Sequence, residues 1–179
     1  MKIKYTVALE DIYAVSDYLN ANSPAMKSSI RKSQLFMASC PLGGILLLIY
    51  IKGLLYTTVV LPLLAFGVIL GLPLYFLYPK YFRHYQRKIV QRLYSEGQNK
   101  GILGEHELTI EEDGIIEKTQ YNVTKQRWES IEKIVTGINH THIFISPLLA
   151  YTIPANTVLE GEYVSFVAEL TNEYNKNKV

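Results

Sequence analysis

The sequence predicts an α+β membrane protein, in which a two-helix transmembrane hairpin is joined to a small β-sheet or open barrel capped by a C-terminal helix. Two observations predict this fold class. Residues 34–78 contain a single charged residue, Lys52, which separates two apolar runs. The residues after 103 show short alternations of polar and apolar side chains, typical of strands with one buried face, and then a helical pattern.

The two apolar runs have the length of membrane-spanning helices. They cover residues 35–51 and 54–78, which are 17 and 25 residues long. A hydrocarbon core of about 30 Å is spanned by roughly 20 apolar residues in a helix, with about 17 to 25 tolerated. Because only Lys52 and Gly53 lie between the runs, we expect a hairpin over residues 33–79.

Basic residues near the ends of the hairpin predict its orientation. Eight Lys and Arg residues flank the two runs on the outside, and Lys52 is alone in the turn. By the positive-inside rule, both termini then lie in the cytoplasm and the protein is multi-pass. Glu10 and Asp11 interrupt any apolar region of a signal peptide, so the hairpin is the first predicted insertion signal.

Seven of these basic residues are candidate contacts to lipid headgroups: Lys27, Arg31, Lys32, Lys80, Arg83, Arg87 and Lys88. The last four recur at helical spacing, so residues 80–100 are predicted to form a basic juxtamembrane helix. A Lys or Arg near an anionic bilayer gains about 1 kcal/mol. The alternative is that these side chains only fix the topology of the hairpin.

Small residues spaced four apart in the runs predict close helix packing. Ser39 and Gly43 form one pair, and Gly67 and Gly71 form another. Such pairs let helix backbones approach closely in lipid. Packing of one hairpin helix on the other and a dimer seam are both open. The one cysteine, Cys40, is interpreted as a small apolar side chain of the first helix, since a single cysteine allows no internal disulfide.

The soluble part is predicted on both sides of the hairpin. Residues 1–30 give an alternating strand and then a helix, and they are expected to pack with a C-terminal domain over residues 103–179. That domain shows about six short strands, with a tight turn at Asp113 and Gly114. A closing helix is predicted over residues 158–174. The N-terminal strand can join the sheet because a hairpin returns the chain to the same face of the membrane.

The stretch LGEHELTIEEDGIIEKTQYNVTKQRWESIEKIV, followed by HIFISPLLAYTIP, resembles the C-terminal domain of YcxB-like bacterial membrane proteins. The matching features are Gly104 with His106, the acidic turn before Gly114, Trp128 with Ser130 and Ile131, and the pairs Ser146-Pro147 and Ile153-Pro154. The resemblance covers nearly the whole chain and is most specific over residues 104–154. It implies a pleckstrin-homology-like domain beside a membrane hairpin in a bacterial inner membrane. It implies no reaction and no catalytic residues.

No catalytic, cofactor or metal site is predicted from the residues. His140 and His142 are separated by one residue, but zinc needs three or four converging ligands, so both are interpreted as loop residues. The run Glu111, Glu112 and Asp113 is interpreted as a solvated hairpin end. Trp128 is expected in the core of the domain, with ligand stacking as the alternative.

Three functions stay open on this sequence. The first is a non-enzymatic membrane protein that tethers an interaction domain, with the lipid bilayer and a protein or second copy as partners. The second is a sensor of anionic lipid. The third is a membrane enzyme, which a deep polar pocket holding His106 or His142 beside a carboxylate would favour. Nucleic acid is disfavoured as a partner because residues 104–179 hold 12 Asp and Glu against 6 Lys and Arg.

Overall fold

A computed structural model describes residues 1–53, 56–96 and 101–178 of the chain. The chain divides into two compact units, which we call the β unit (Met1–Leu19 with Val90–Val179) and the helical unit (Asn20–Ile89). The architecture is α+β, with two long apolar helices and, among the described residues, eight strands in two antiparallel sheets. The order along the chain is β1 Lys2–Val7, α1 Leu9–Asn22, α2 Pro24–Lys52, α3 Thr57–Glu96, β2 Gly104–Glu111, β3 Gly114–Thr119, β4 Val123–Arg127, β5 Lys133–Thr136, β6 His140–Phe144, β7 Ala150–Pro154, β8 Val158–Glu160 and α4 Tyr163–Asn177.

The N-terminal strand lies inside the larger sheet of the β unit. That sheet has the order β4-β3-β2-β1-β8, and the smaller one has the order β5-β6-β7. Strand β1 pairs with β2 over its full length, from Lys2 opposite Thr109 to Val7 opposite Gly104. It also pairs with β8, where Tyr5 faces Val158. Two segments separated by the whole of α2 and α3 therefore share one set of backbone hydrogen bonds.

The turn predicted at Asp113 and Gly114 joins β2 to β3, and glycine is needed there for lack of space. A Cβ atom on Gly114 would collide with the carbonyl oxygen of Gln126 and lie 2.8 Å from the Cα of Arg127. Strand β4 thus passes directly against the turn. Lys125 of β4 binds the acidic end of the hairpin through Glu111 at 3.1 Å and Asp113 at 2.9 Å, so that run is a solvated, ion-paired hairpin end.

The C-terminal helix begins later than the sequence pattern indicated. Residues 158–160 form β8, and α4 starts only at Tyr163. Gly161 interrupts the chain with a φ of +92°, a conformation that glycine adopts without steric cost. Glu162 then caps the helix, because its carboxylate accepts the N–H groups of Val164 and Ser165.

The core of the β unit collects apolar side chains from both sheets and from α4. Its buried members are Ile3, Tyr5, Val7, Leu108, Ile110, Ile115, Trp128, Ile131, Ile143, Ile153, Phe166, Leu170 and Tyr174. Trp128 is 4% exposed, and its indole N–H donates to the carbonyl oxygen of Glu112 at 3.1 Å. Trp128 therefore lies in the core of the β unit, and none of these core residues belongs to the helical unit.

The helical unit consists of two helices that are longer than the apolar runs. Helix α2 begins at Pro24, after Ser23 caps its first turn, and ends at Lys52, where Gly53 takes a φ of +63°. Helix α3 runs to Glu96 through Pro62, Pro73 and Pro79. The predicted first residue of the second span, Leu54, and the end of the predicted 80–100 helix lie outside the described residues. By length and composition, both helices are able to cross a membrane.

Candidate functional site

A cavity of about 410 Å³ lies within the β unit and is the best candidate for a binding site. Both sheets contribute to its wall, together with one face of α1. That face is a helical stripe of Ile12, Val15, Ser16 and Leu19. The remaining lining residues are Val7, Tyr94, Gly101, Ile102, His106, Glu117, Thr124, Ile145, Leu148, Leu149, Ala150, Tyr151 and Thr152. The lining is mainly apolar with a few polar groups, as in pockets for small ligands.

A buried histidine–carboxylate pair forms the most polar part of the wall. His106 of β2 and Glu117 of β3 are diagonal neighbours, since Glu117 lies opposite Leu108 in the register. The Nδ1 atom of His106 lies 2.8 Å from Oε1 of Glu117, and the two side chains are 6% and 12% exposed. The other ring nitrogen, Nε2, lies 3.1 Å from the carbonyl oxygen of Ile102. Because a carbonyl oxygen only accepts, Nε2 is the nitrogen that donates to Ile102, and Nδ1 faces the carboxylate oxygen of Glu117.

Tyrosines surround this pair and stay neutral. The ring of Tyr5 stacks on His106 with centroids 5.7 Å apart. Burial, with the nearby charge of Glu117, raises the pKa of Tyr5 well above its usual value. Burial also raises the pKa of Tyr151 and of Tyr94. The hydroxyl of Tyr5 is buried and has no hydrogen-bond partner among the described groups.

A second polar cluster touches the cavity through Thr152. The hydroxyl of Thr152 lies 3.0 Å from Nδ1 of His142, and the ring of His142 stacks on His140. Nε2 of His140 lies 2.8 Å from Oδ1 of Asp11, whose other oxygen accepts the N–H of Ala8. Asp11 therefore fixes the start of α1, the helix that covers the cavity. Burial, as the main cause, and the neighbouring His140 together lower the pKa of His142 from 6.5 to about 4, with Asp11 acting in the opposite direction.

The expectation that His140 and His142 are loop residues is wrong. Both lie on β6, and His142 is 5% exposed. They share a face because alternate strand residues point the same way. Their nitrogens are directed to separate partners, Asp11 and Thr152, and do not converge. Within residues 1–53, 56–96 and 101–178, no group of three or more His, Cys, Asp or Glu is arranged to hold a metal ion.

The histidine of the cavity wall has no free ring nitrogen among the described groups. A histidine does lie beside a carboxylate in its wall, which is the arrangement that the enzyme hypothesis requires. Both ring nitrogens of His106 are occupied by fixed oxygen partners, however, and most of the wall is apolar. Ser16 donates to the carbonyl oxygen of Ile12 in its own helix rather than to a base. A nucleophile next to a free base is the usual mark of covalent catalysis, and the described lining residues do not form one.

The two small-residue pairs of the helical unit have different surroundings. A Cβ atom on Gly67 would lie 2.7 Å from Leu42, and one on Gly71 would collide with the carbonyl oxygen of Ala38. This pair therefore lies where α3 packs on α2. Among the described residues, no atom outside its own stretch of helix would lie within 4 Å of a Cβ atom on Gly43. Ser39 is exposed, and its hydroxyl donates to the carbonyl oxygen of Phe36.

The seven basic residues proposed to contact lipid headgroups are all exposed: Lys27, Arg31 and Lys32 on α2, and Lys80, Arg83, Arg87 and Lys88 on α3. Two of them come together. Lys27 and Arg83 line one cleft of about 270 Å³ in the helical unit, with Asn20, Gln34 and Phe82. The side chain of Asn20 in this cleft donates to Gln86 at 2.7 Å.

One residue of the cavity wall, His106, carries a signal that is visible in the sequence. His106 stands in the inward row of β2 with Leu108 and Ile110, and a polar residue in an apolar row often marks a buried polar partner. Glu117 and Thr152 carry no such signal, because each lies in a short strand whose neighbours only the tertiary fold determines.

The comparisons with known proteins give no relative for this chain: no family model, no curated protein and no solved structure matches it. The resemblance to YcxB-like proteins therefore stays a prediction.

Proposed function

We propose that this chain is a non-enzymatic integral membrane protein that holds a small pleckstrin-homology-like interaction domain, the β unit, at the cytoplasmic face of a bacterial inner membrane. The observation that carries the proposal is the exposure of the apolar helices. Leu47 is 59% exposed, Leu61 70% and Ile69 63%. Only 6% of the most apolar window of α2 and 11% of that of α3 is buried. A core helix of a water-soluble protein buries such side chains, so lipid is their natural solvent.

The sheet pairing supports a hairpin with an even number of membrane crossings. Strand β1 precedes α2 and strand β2 follows α3, and the two pair residue by residue. Paired strands lie on one side of a bilayer. The segment between them thus crosses twice or not at all, and its composition favours two crossings. The basic residues outside the runs then favour the cytoplasm for the β unit.

An exposed strand edge supports an interaction role for the β unit. Strand β4 lies at the end of the larger sheet, and Val123 at its start is 62% exposed. A free edge offers backbone donors and acceptors to a strand of another protein or of a second copy.

The topology is tested by cysteine labelling in whole cells. In a Cys40→Ser background, Lys52→Cys should react with a membrane-impermeant maleimide from outside, whereas Lys176→Cys, on the exposed surface of α4, should react only after lysis. Labelling of Lys176→Cys in intact cells would overturn the orientation. Release of the protein from membranes by alkaline carbonate would overturn the anchor itself.

The interaction role is tested by photo-crosslinking in cells. A photoreactive residue at Val123 should give a discrete adduct with one partner chain. The same residue at Val164, which is 69% exposed on α4, is the matched control and should not. Equal adducts from both positions would show random collision and argue against the edge.

The cleft of Lys27 and Arg83 favours a second candidate, a sensor of anionic lipid. Two cations from different helices beside one cleft suit a phosphate-bearing headgroup. Removing both charges, in Lys27→Gln with Arg83→Gln, should release bound phosphatidylglycerol from the purified protein in native mass spectra. The control Lys80→Gln with Lys88→Gln removes the same charge outside the cleft and should keep it. Equal loss in both would mean that only the overall field attracts the lipid.

A further inference from the structure

The cavity of the β unit has the size, lining and charge of a site for a small amphiphile. Its volume of about 410 Å³ compares with the cavity of about 150 Å³ that takes one benzene. In proportion, it holds a molecule of about 16 non-hydrogen atoms. Such a ligand is larger than a solvent molecule and smaller than a diacyl lipid.

The polar groups of the wall select the head of that ligand. Among the described lining residues, Glu117 is the one carboxylate, and no lysine or arginine is present. Oε1 of Glu117 is engaged by His106, and Oε2 has no hydrogen bond with a described group. A carboxylate oxygen accepts and cannot donate, so it suits an ammonium or hydroxyl group and offers no donor to an anion.

The body of the ligand would lie on the apolar wall. Ile12, Val15 and Leu19 of α1 form one side, and Leu148 and Leu149 lie at the open end, 76% and 59% exposed. The turn that carries these two leucines is fixed, because the Ser146 hydroxyl accepts both of their N–H groups. The exposed apolar side chains at the rim therefore keep a defined position in the free protein.

We propose that this cavity binds one amphiphile, with an apolar body of up to about 16 non-hydrogen atoms against α1 and a hydrogen-bond-donating or ammonium head at Glu117. Every group involved belongs to the β unit. The site is therefore independent of whether α2 and α3 cross a bilayer, and either proposal can fail without the other.

Three probes with one phenylbutyl body and different heads test the charge selection: phenylbutylamine, phenylbutanol and phenylvalerate. Binding is measured by calorimetry to the full chain in zwitterionic lipid nanodiscs, with empty nanodiscs subtracted. The amine should bind at least about tenfold more tightly than the anion, and the alcohol should bind with an intermediate affinity. Tenfold is the lower end of the gain in affinity expected from one charge-assisted hydrogen bond. Equal affinities, tighter binding of the anion, or no binding at millimolar concentration would overturn the proposal.

Variants assign the binding to the cavity. Glu117→Gln should lower the affinity for the amine about tenfold and leave that for the alcohol within about threefold, because it removes charge and not volume. Val15→Trp fills the cavity and should abolish binding of all three probes. The control Val164→Trp adds the same ring on the exposed face of α4 and should bind normally. Normal binding by Val15→Trp would place the probes elsewhere.

A second measurement covers the case in which Val15→Trp fails to fold. A phenylbutylamine carrying a photoreactive diazirine is crosslinked to the wild-type chain, and the labelled peptides are identified by mass spectrometry. Labels should concentrate in α1 and β7, and phenylbutylamine in excess should suppress them. Labels confined to α2, to α4 or to the part of α3 before Val90 would overturn the assignment, whereas Tyr94 at the end of α3 is itself a lining residue.

Discussion

The stability of the β unit should fall steeply as the pH drops from 6.5 to 4, because the fold holds His142 in its neutral form. The ring is 5% exposed, hydrogen-bonded to Thr152 and stacked on His140. Burial lowers its pKa from 6.5 to about 4. In the unfolded chain the same ring takes up a proton near pH 6.5. Between these two values the unfolded state binds more protons, so lowering the pH favours unfolding.

The size of the effect follows from the two pKa values. A difference of one pKa unit corresponds to about 1.4 kcal/mol, so the full loss between pH 6.5 and 4 is about 3 kcal/mol. About 2 kcal/mol of it is already lost at pH 5, where the unfolded ring is almost fully charged and the folded ring is not. Well above pH 6.5 both states are neutral at this position and His142 adds no pH dependence.

Trp128 makes the measurement direct, because it is the one tryptophan of the chain and is buried in the core of the β unit. Urea unfolding of the full chain in nanodiscs is followed by its fluorescence at several pH values. In His142→Gln the loss between pH 6.5 and 5 should be smaller by about 2 kcal/mol than in wild type. Asp11, His140 and Lys133 remain in the variant, so the two proteins differ in one ionisable group, the ring at position 142. Parallel curves for the two proteins would refute the reasoning.

Three further predictions concern packing and independence of the units. Gly71→Ala should destabilise the helix pair by about 1–3 kcal/mol and lower its thermal midpoint in lipid. Gly43→Ala should leave the midpoint unchanged, because a Cβ atom there meets no described neighbour. Equal midpoints for the two variants would contradict the packing of α3 on α2 at Gly71. Gly114→Ala should lower the free energy of urea unfolding of the β unit by about 1–3 kcal/mol, whereas the control Gly101→Ala should leave it nearly unchanged. If neither variant changed it, β4 would have to move aside for the methyl group at position 114. Replacing residues 20–89 by a flexible Gly/Ser linker should leave a water-soluble chain with a buried Trp128, since the core contains no residue of the helical unit; aggregation would show that the unit depends on the helices.

The features that the sequence predicted well are those set by local pattern. Two long apolar helices follow from composition alone, because an apolar run as long as residues 54–78 is typical of a membrane-spanning helix. The turn before Gly114 was also predicted, and Gly114 takes a positive φ of 156°. Glycine is required there because β4 passes against its Cα, a contact between residues that are distant in the pattern.

The features that were missed depend on pairing between distant segments. His140 follows a turn-like Gly-Ile-Asn sequence and was interpreted as a loop residue, yet it begins β6 because it pairs with Pro154 of β7. Likewise, residues 158–160 continue a helical pattern in the sequence, but in the fold they pair with the edge of β1 and form strand β8. The cavity needs α1, both sheets and Tyr94 in place at once, so no single segment of the sequence encodes it.

The pairing of β1 with β2 links folding of the β unit to membrane topology, if α2 and α3 cross the bilayer as proposed. Strand β1 is synthesised first, but it can pair with β2 only after the chain has been made as far as Thr109, which lies opposite Lys2. A chain that inserted only one of the two helices would hold β1 and β2 on opposite sides of the membrane. Ile3 and Tyr5, both fully buried in the fold, would then have no core to enter. The β unit can therefore form only when the segment between its strands crosses an even number of times, and its hydrophobic core stabilises that topology over the alternatives.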